Sequence, residues 1–331
     1  MSQLESQHVS PEMAAIIKQG APYPPMTAGV GGMPTVSVDV PALSVFLALY
    51  LTSAVMNIII FKTNLRKGHW FFFNGLLVGF SMARVLTCVL RIAWACEPHN
   101  VSLAIAAGIF VNVGILIVYI VNLLFAQRIV RARRPEIGWN RWFRIGFFTV
   151  YGLIIASLIM LIVMTVDSFF TLDPAIHSYA LWIQRSAILY LFLVAATPLI
   201  LLAIAFLLPP TSDETFGKHS MRTKGIILLA GSCICTTIAG FKVGTLWSDP
   251  RAITNPAWYD SKAAFYVFNF TLEIVLLVIY ISSRIDHKFH VPNGSSKRKT
   301  YRVPDLVESD NETEVPESLS KKDSNLDDER A

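Results

Sequence analysis

The sequence predicts an all-α membrane protein, a bundle of seven transmembrane helices. Three observations predict it. Hydrophobic residues fill 53% of the 331 positions and charged residues only 15%, too few to coat a water-soluble fold of this length. Seven separate stretches each offer about 20 apolar residues, enough to cross roughly 30 Å of hydrocarbon. Lysine and arginine gather in alternate connections. A backbone in hydrocarbon must satisfy its own hydrogen bonds, which leaves helices or a closed barrel. The two-residue alternation of barrel strands is not found in these stretches.

Residues 1–40 read as a flexible external arm, with Pro and Gly clusters at Ala21–Pro25 and Gly29–Pro34. No basic segment followed by an apolar one occurs there, so span 1 is expected to act as its own signal. The transmembrane domain, 41–282, follows. Span 1 is expected at Pro41–Phe61 and span 2 at Trp70–Ala95, where Gly75 and Gly79 suit close internal packing. Span 3 is expected at Leu103–Ala126 and span 4 at Ile145–Val166. Span 5 covers Leu181–Leu208 and carries Pro198, which predicts a kink. Span 6 is expected at Gly225–Val243 and span 7 at Ala263–Ser282. Residues 283–331 form a hydrophilic tail, basic then acidic, that buries too little apolar surface to order itself.

With these limits, 21 of the 28 Lys and Arg residues fall on one side, 3 on the other and 4 within spans. The bias places the N-terminus outside and the C-terminus in the cytosol. Basic residues beside apolar spans point to anionic lipid headgroups rather than nucleic acid. The plasma membrane is expected ahead of an internal one. Asn100-Val101-Ser102 is then an external glycosylation sequon. In the tail, Ser309 and Ser324 each precede an acid at plus three, Glu312 and Asp327, the pattern that acid-directed kinases favour.

The interior polar residues carry the functional reading. Arg84 lies about 13 residues into span 2, roughly 20 Å from the cytosolic edge, and needs a partner or water there. Glu273, about ten residues into span 7, lies at similar depth and is its expected counterpart, joining spans 2 and 7. Arg91, Asn112, Asp167, Arg185 and Asn269 lie toward the outer half, where they could line a cavity for a polar or amphipathic ligand or simply bond between helices.

Several chemistries are excluded by residue placement. No histidine falls inside a span, which argues against a seven-span zinc hydrolase. Span 7 holds no lysine for a retinal Schiff base, and no Walker or GxSxG motif occurs. Cys88, Cys233 and Cys235 fall in apolar segments and only Cys96 near a loop, so no loop disulfide is expected. The expectation is a non-enzyme without cofactor.

The stretch from His69 to Ala95, above all NGLLVGFSMARVLTCVLRIAWA, resembles a family of fungal seven-span proteins of unknown function. Some of its members are labelled family C-like G-protein-coupled receptors. The resemblance implies a receptor-like protein; the leading reading is one that senses a small or lipidic ligand, and the residues themselves suggest Arg84 and Glu273 as an interior switch and Arg128–Arg144 as the face toward a cytosolic signalling partner. It offers no established catalytic or ligand residues to carry over. The competing class is a transporter or lipid-translocating protein, with the intramembrane charges lining a substrate path.

Overall fold

The computed structural model describes residues 18, 20–25, 27–68, 71–211 and 216–291. Seven helices are long and apolar enough to cross a membrane: Val36–Arg66, Phe73–Cys96, Val101–Arg133, Arg141–Phe170, Pro174–Leu207, Met221–Trp247 and Lys262–Ser282. These are spans 1 to 7, and the chain is an all-α, multi-pass membrane protein. Among the described residues the only β feature is an isolated bridge between Thr27 and Ala252.

Most spans outrun the apolar stretch that signals them, because capped polar flanks continue the helix. Asn100 accepts from Leu103 N–H, Asn140 from Trp142 N–H, Asp173 from Ala175 N–H and Ser220 from Thr223 N–H. Each cap satisfies a backbone donor that the first helical turn leaves open. Hydroxyls within the spans turn back on their own helix: Thr52, Thr87, Thr165 and Thr197 each donate to the carbonyl four residues earlier. That satisfies each hydroxyl within the membrane without help from another helix.

Burial ranks the spans. Half of the apolar window of span 3 is buried, against 17% for span 4; span 3 is the axis of the bundle and span 4 its margin. Span 1 packs along span 2, and span 5 packs against spans 3, 4 and 6. Apolar side chains such as Val55, Ile59, Phe148, Ile155, Ile200 and Ile226 remain exposed, as a lipid-facing surface requires. Trp142, Tyr179, Trp182 and Trp258, near span ends, are also exposed, in keeping with an interfacial aromatic belt.

Two spans are irregular. Span 3 breaks at Gly114, between Val101–Val113 and Ile115–Arg133. Span 7 contains a π-helical turn at Val267–Thr271 between Lys262–Tyr266 and Leu272–Ser282. Both irregularities lie beside the buried charges described below.

The structure corrects three expectations. Residues 27–35 do not hang free before the first helix. Tyr23 N–H donates to Phe169 O at 2.7 Å, Ala28 N–H to Arg251 O at 2.8 Å and Gly31 N–H to Asp260 O at 2.9 Å, and span 1 begins at Val36. Gly31 has φ +84°, and a Cβ there would meet the Phe265 ring at 2.6 Å, so only glycine passes. Gly75 and Gly79 are exposed, and a Cβ at either would have no neighbour within 4 Å; they face outward instead of packing internally.

The third correction concerns the tail. Its first residues fold: Ile285–Lys288 forms a helical turn, and Phe289, fully buried, stacks on Phe125 at 4.2 Å. The remainder, with Ser309 and Ser324, lies outside the described residues. The basic connection makes contacts of its own. Arg128 donates to Phe289 O, Arg131 to Gly138 O, Arg133 to Ala205 O and Arg134 to Pro209 O. Open carbonyls near helix ends attract these guanidinium donors, so this half of the connection holds the bundle together. Arg141 and Arg144 are exposed.

Candidate functional site

Arg84 and Glu273 meet in the bundle interior, both with 0% side-chain exposure. The pair is bidentate: Arg84 Nε donates to Glu273 Oε2 and Nη2 to Oε1. Such a fork matches a carboxylate in two parallel bonds. Arg84 Nη1 donates to Val111 O at 2.9 Å and Phe110 O at 3.3 Å. In an unbroken helix those carbonyls would accept from Ile115 and Gly114. The guanidinium thus serves the span 3 break, and Gly114 provides its space, since a Cβ there would lie 3.4 Å from Arg84 Cζ.

Tyr50 of span 1 completes the cluster. Its hydroxyl is 3.0 Å from Glu273 Oε2 and 3.3 Å from Phe270 O, a carbonyl in the π-helical turn. Four spans therefore converge on one ion pair; the break in span 3 supplies carbonyls to Arg84, and the π turn of span 7 supplies one to Tyr50. A side chain inserted at a helix break and a π turn are both recognised causes of local bending.

Further polar groups line the interior toward the opposite end. Asn74 donates to Asn57 at 3.1 Å and Ser81 to Ser53 at 3.3 Å, tying span 2 to span 1. Tyr280 donates to Asn122, whose amide faces Cys235 Sγ at 3.2 Å. Asn64 donates to Asp286 at 2.9 Å. Buried polar groups in these bundles find partners on neighbouring helices.

Above the pair, toward residues 20–35, lies a cavity of about 320 Å³. Arg91, Asn112, Lys242, Thr245, Asp260 and Asn269 supply its polar lining, and Ala28, Gly29 and Val30 close one wall. Lys242 Nζ donates to Asn112 Oδ1 at 3.0 Å and to Val111 O at 3.3 Å. Val111 O therefore receives one bond from the cavity and one from the buried pair. Arg91 donates to Gly31 O at 3.2 Å and Gly32 O at 3.3 Å, and its guanidinium lies 3.9 Å from the Phe265 ring centroid.

The predicted residues divide. Arg91, Asn112 and Asn269 line the cavity, and Arg84 and Glu273 lie beneath it. Arg185 does not line it; Arg185 Nε donates to Leu246 O at 3.0 Å, between Trp182 and Trp247, and so caps the end of span 6. Asp167 is half-buried on span 4 and also outside the lining. Lys242, Tyr50 and Asp260 belong to the assembly, although sequence reasoning does not single them out. An intramembrane lysine is the available signal for Lys242; Tyr50 carries none, because tyrosine is ordinary in a span.

A second charged cluster ties down the segment before span 1. Asp39, fully buried, accepts from Lys262 Nζ, from Tyr266 OH at 2.6 Å and from Thr35 N–H at 2.7 Å. Among the described residues no group of three or more His, Cys, Asp or Glu could hold a metal ion.

No curated protein and no solved structure matches the chain. From the connection after span 3 to the residues just beyond span 7, in segments 135–223 and 213–290, the chain is similar to the family described as protein of unknown function, DUF3112.

Proposed function

We propose that this protein is receptor-like, taking a small or lipidic ligand into the polar cavity from the external side and passing its occupancy to the cytosolic face. The observation that carries the reading is the shared Val111 carbonyl. It accepts from Lys242, which lines the cavity, and from Arg84, which holds Glu273. An occupant that engages Lys242 weakens one claim on that carbonyl and alters the balance at the span 3 break. The break and the π turn are the elements that shift between two packings, and the ligand biases them by its differential affinity for each.

The positive bias supports an external cavity and a cytosolic Ile285–Val291 segment. Arg141 and Arg144, exposed on that face, are the basic groups a signalling partner or anionic lipid would meet. For transport a path must continue beyond the cavity. The fully buried Arg84–Glu273 pair blocks the interior one helical turn beyond Asn269, which favours the receptor reading.

The test uses a tethered occupant and needs no known ligand. Gly108 lines the cavity and has room for a Cβ. Gly108→Cys, with Cys96 and Cys233 changed to Ser, is labelled with a bulky thiol reagent in nanodiscs. Hydrogen exchange is then followed at 110–117 and 285–291. The reading expects faster exchange in both segments. A label that changes only the first segment removes signalling across the bundle.

A further inference from the structure

Building on that reading, we propose that the cavity is an oxyanion site, binding the phosphate or carboxylate of its ligand through Lys242 and Arg91. Both cations line the same space of about 320 Å³. Among the described residues, neither has a carboxylate within 4 Å. Arg91 is 4% exposed, its terminal nitrogen donates to neutral carbonyls, and its Nε, buried, has no hydrogen-bond partner. Lys242 has three donors and two neutral acceptors, Asn112 Oδ1 and Val111 O.

The nearby acids form no ion pair with either cation and are engaged elsewhere: Glu273, nearest in effect to Lys242, is held by Arg84 and Tyr50. Asp260, on the cavity wall, accepts from Ala257 N–H at 3.0 Å. Asp39 is engaged by Lys262, Tyr266 and Thr35. A cation in a bundle interior without a carboxylate in direct contact is costly, and the cost falls when an anion enters. The space equals about ten waters at roughly 30 Å³ each, so the anion can carry an organic body. Asn112 and Asn269 line the same space; their amide nitrogens donate to Gly108 O and Phe265 O, and each has a second N–H for the ligand.

Such an oxyanion has two sources, a dissolved small molecule or a lipid headgroup, and the experiment separates them. The full chain is placed in phosphatidylcholine nanodiscs and its thermal unfolding is followed with inorganic phosphate, with succinate, and with chloride at matched ionic strength. A parallel set carries phosphatidic acid in the disc without added anion. A dissolved ligand predicts a rise in Tm of about 2–4 °C with phosphate or succinate over chloride. A lipid source predicts the rise only with phosphatidic acid.

In either case Lys242→Gln abolishes the rise. Arg91→Gln does so too, and because Lys242 lies away from the Gly31 turn, one variant tests the site if the other fails to fold. No rise in any arm, or an equal rise in Lys242→Gln, overturns the site. This failure is separable from failure of the receptor reading. A tethered occupant that still alters exchange at 285–291 would leave the reading standing with another ligand class. Anion binding without that change would leave the site and remove the signalling.

Discussion

Glu273 meets more donors than an ordinary ion pair provides: two from Arg84 and one from Tyr50. Removing one member of such a pair strands the other charge in a dry interior, at a cost of about 3–5 kcal/mol. Arg84→Leu and Glu273→Leu are each expected to lower stability by about that amount in nanodisc thermal unfolding. Arg84→Leu also removes the guanidinium donor from Phe110 O and leaves Val111 O with Lys242 alone, and it is expected to be the worse of the two. The double variant, with neither charge present, is expected to recover part of the loss relative to Arg84→Leu. A double variant that unfolds at the additive sum would show that the two charges are not coupled.

Among the elements, the segment after span 7 gives the sharpest expectation. Burial alone would raise the Asp286 carboxyl, but hydrogen bonds from Arg284 and Asn64 outweigh it and hold its pKa below the ordinary range. Burial lowers the His287 pKa despite the opposing pull of Asp286. A depressed carboxylate contributes stability above its unfolded value, about 3.9, and loses it as pH falls through the folded value. A histidine kept neutral contributes above about 6.5 and loses as pH falls toward its folded pKa. Both signs agree: acidification loosens this segment. Exchange protection at 285–291 is expected to drop between pH 7.5 and 5.5, and His287→Gln to remove that step. The further drop below about pH 4 belongs to Asp286 and is expected to vanish in Asp286→Asn. Protection that rises on acidification would contradict the assignment.

The same scale shows what periodicity alone conveys. Each span is legible because its apolar length is a local property. The break at Gly114 and the π turn at 267–271 are not, because nothing in the residues Val111–Ile115 or Val267–Thr271 forbids a regular helix. At each of them a side chain from another span meets an open carbonyl, Arg84 at Val111 O and Tyr50 at Phe270 O.

For the whole molecule, alternating basic connections predict the orientation, and it can be measured directly. An epitope after Ala331 is expected to resist protease in intact cells and to be cleaved once they are permeabilised. Asn100, exposed at the start of span 3, then lies outside, and any glycan there is expected to be lost in Asn100→Gln. Cleavage of the tail epitope in intact cells would reverse the bundle and place the cavity on the cytosolic side.

By itself the sequence determined the number of spans, their approximate limits, the charge bias and the depth match between Arg84 and Glu273. All of these follow from adding residue properties along one helix. The tertiary structure alone decided that Lys242 shares a carbonyl with Arg84, that Arg185 and Asp167 miss the cavity, and that residues 28–30 wall it. It also decided that Arg128–Arg134 bind their own bundle. The reason is geometric: which polar groups meet depends on each helix's rotation and axial offset, and packing among all seven sets those, not hydropathy along any one.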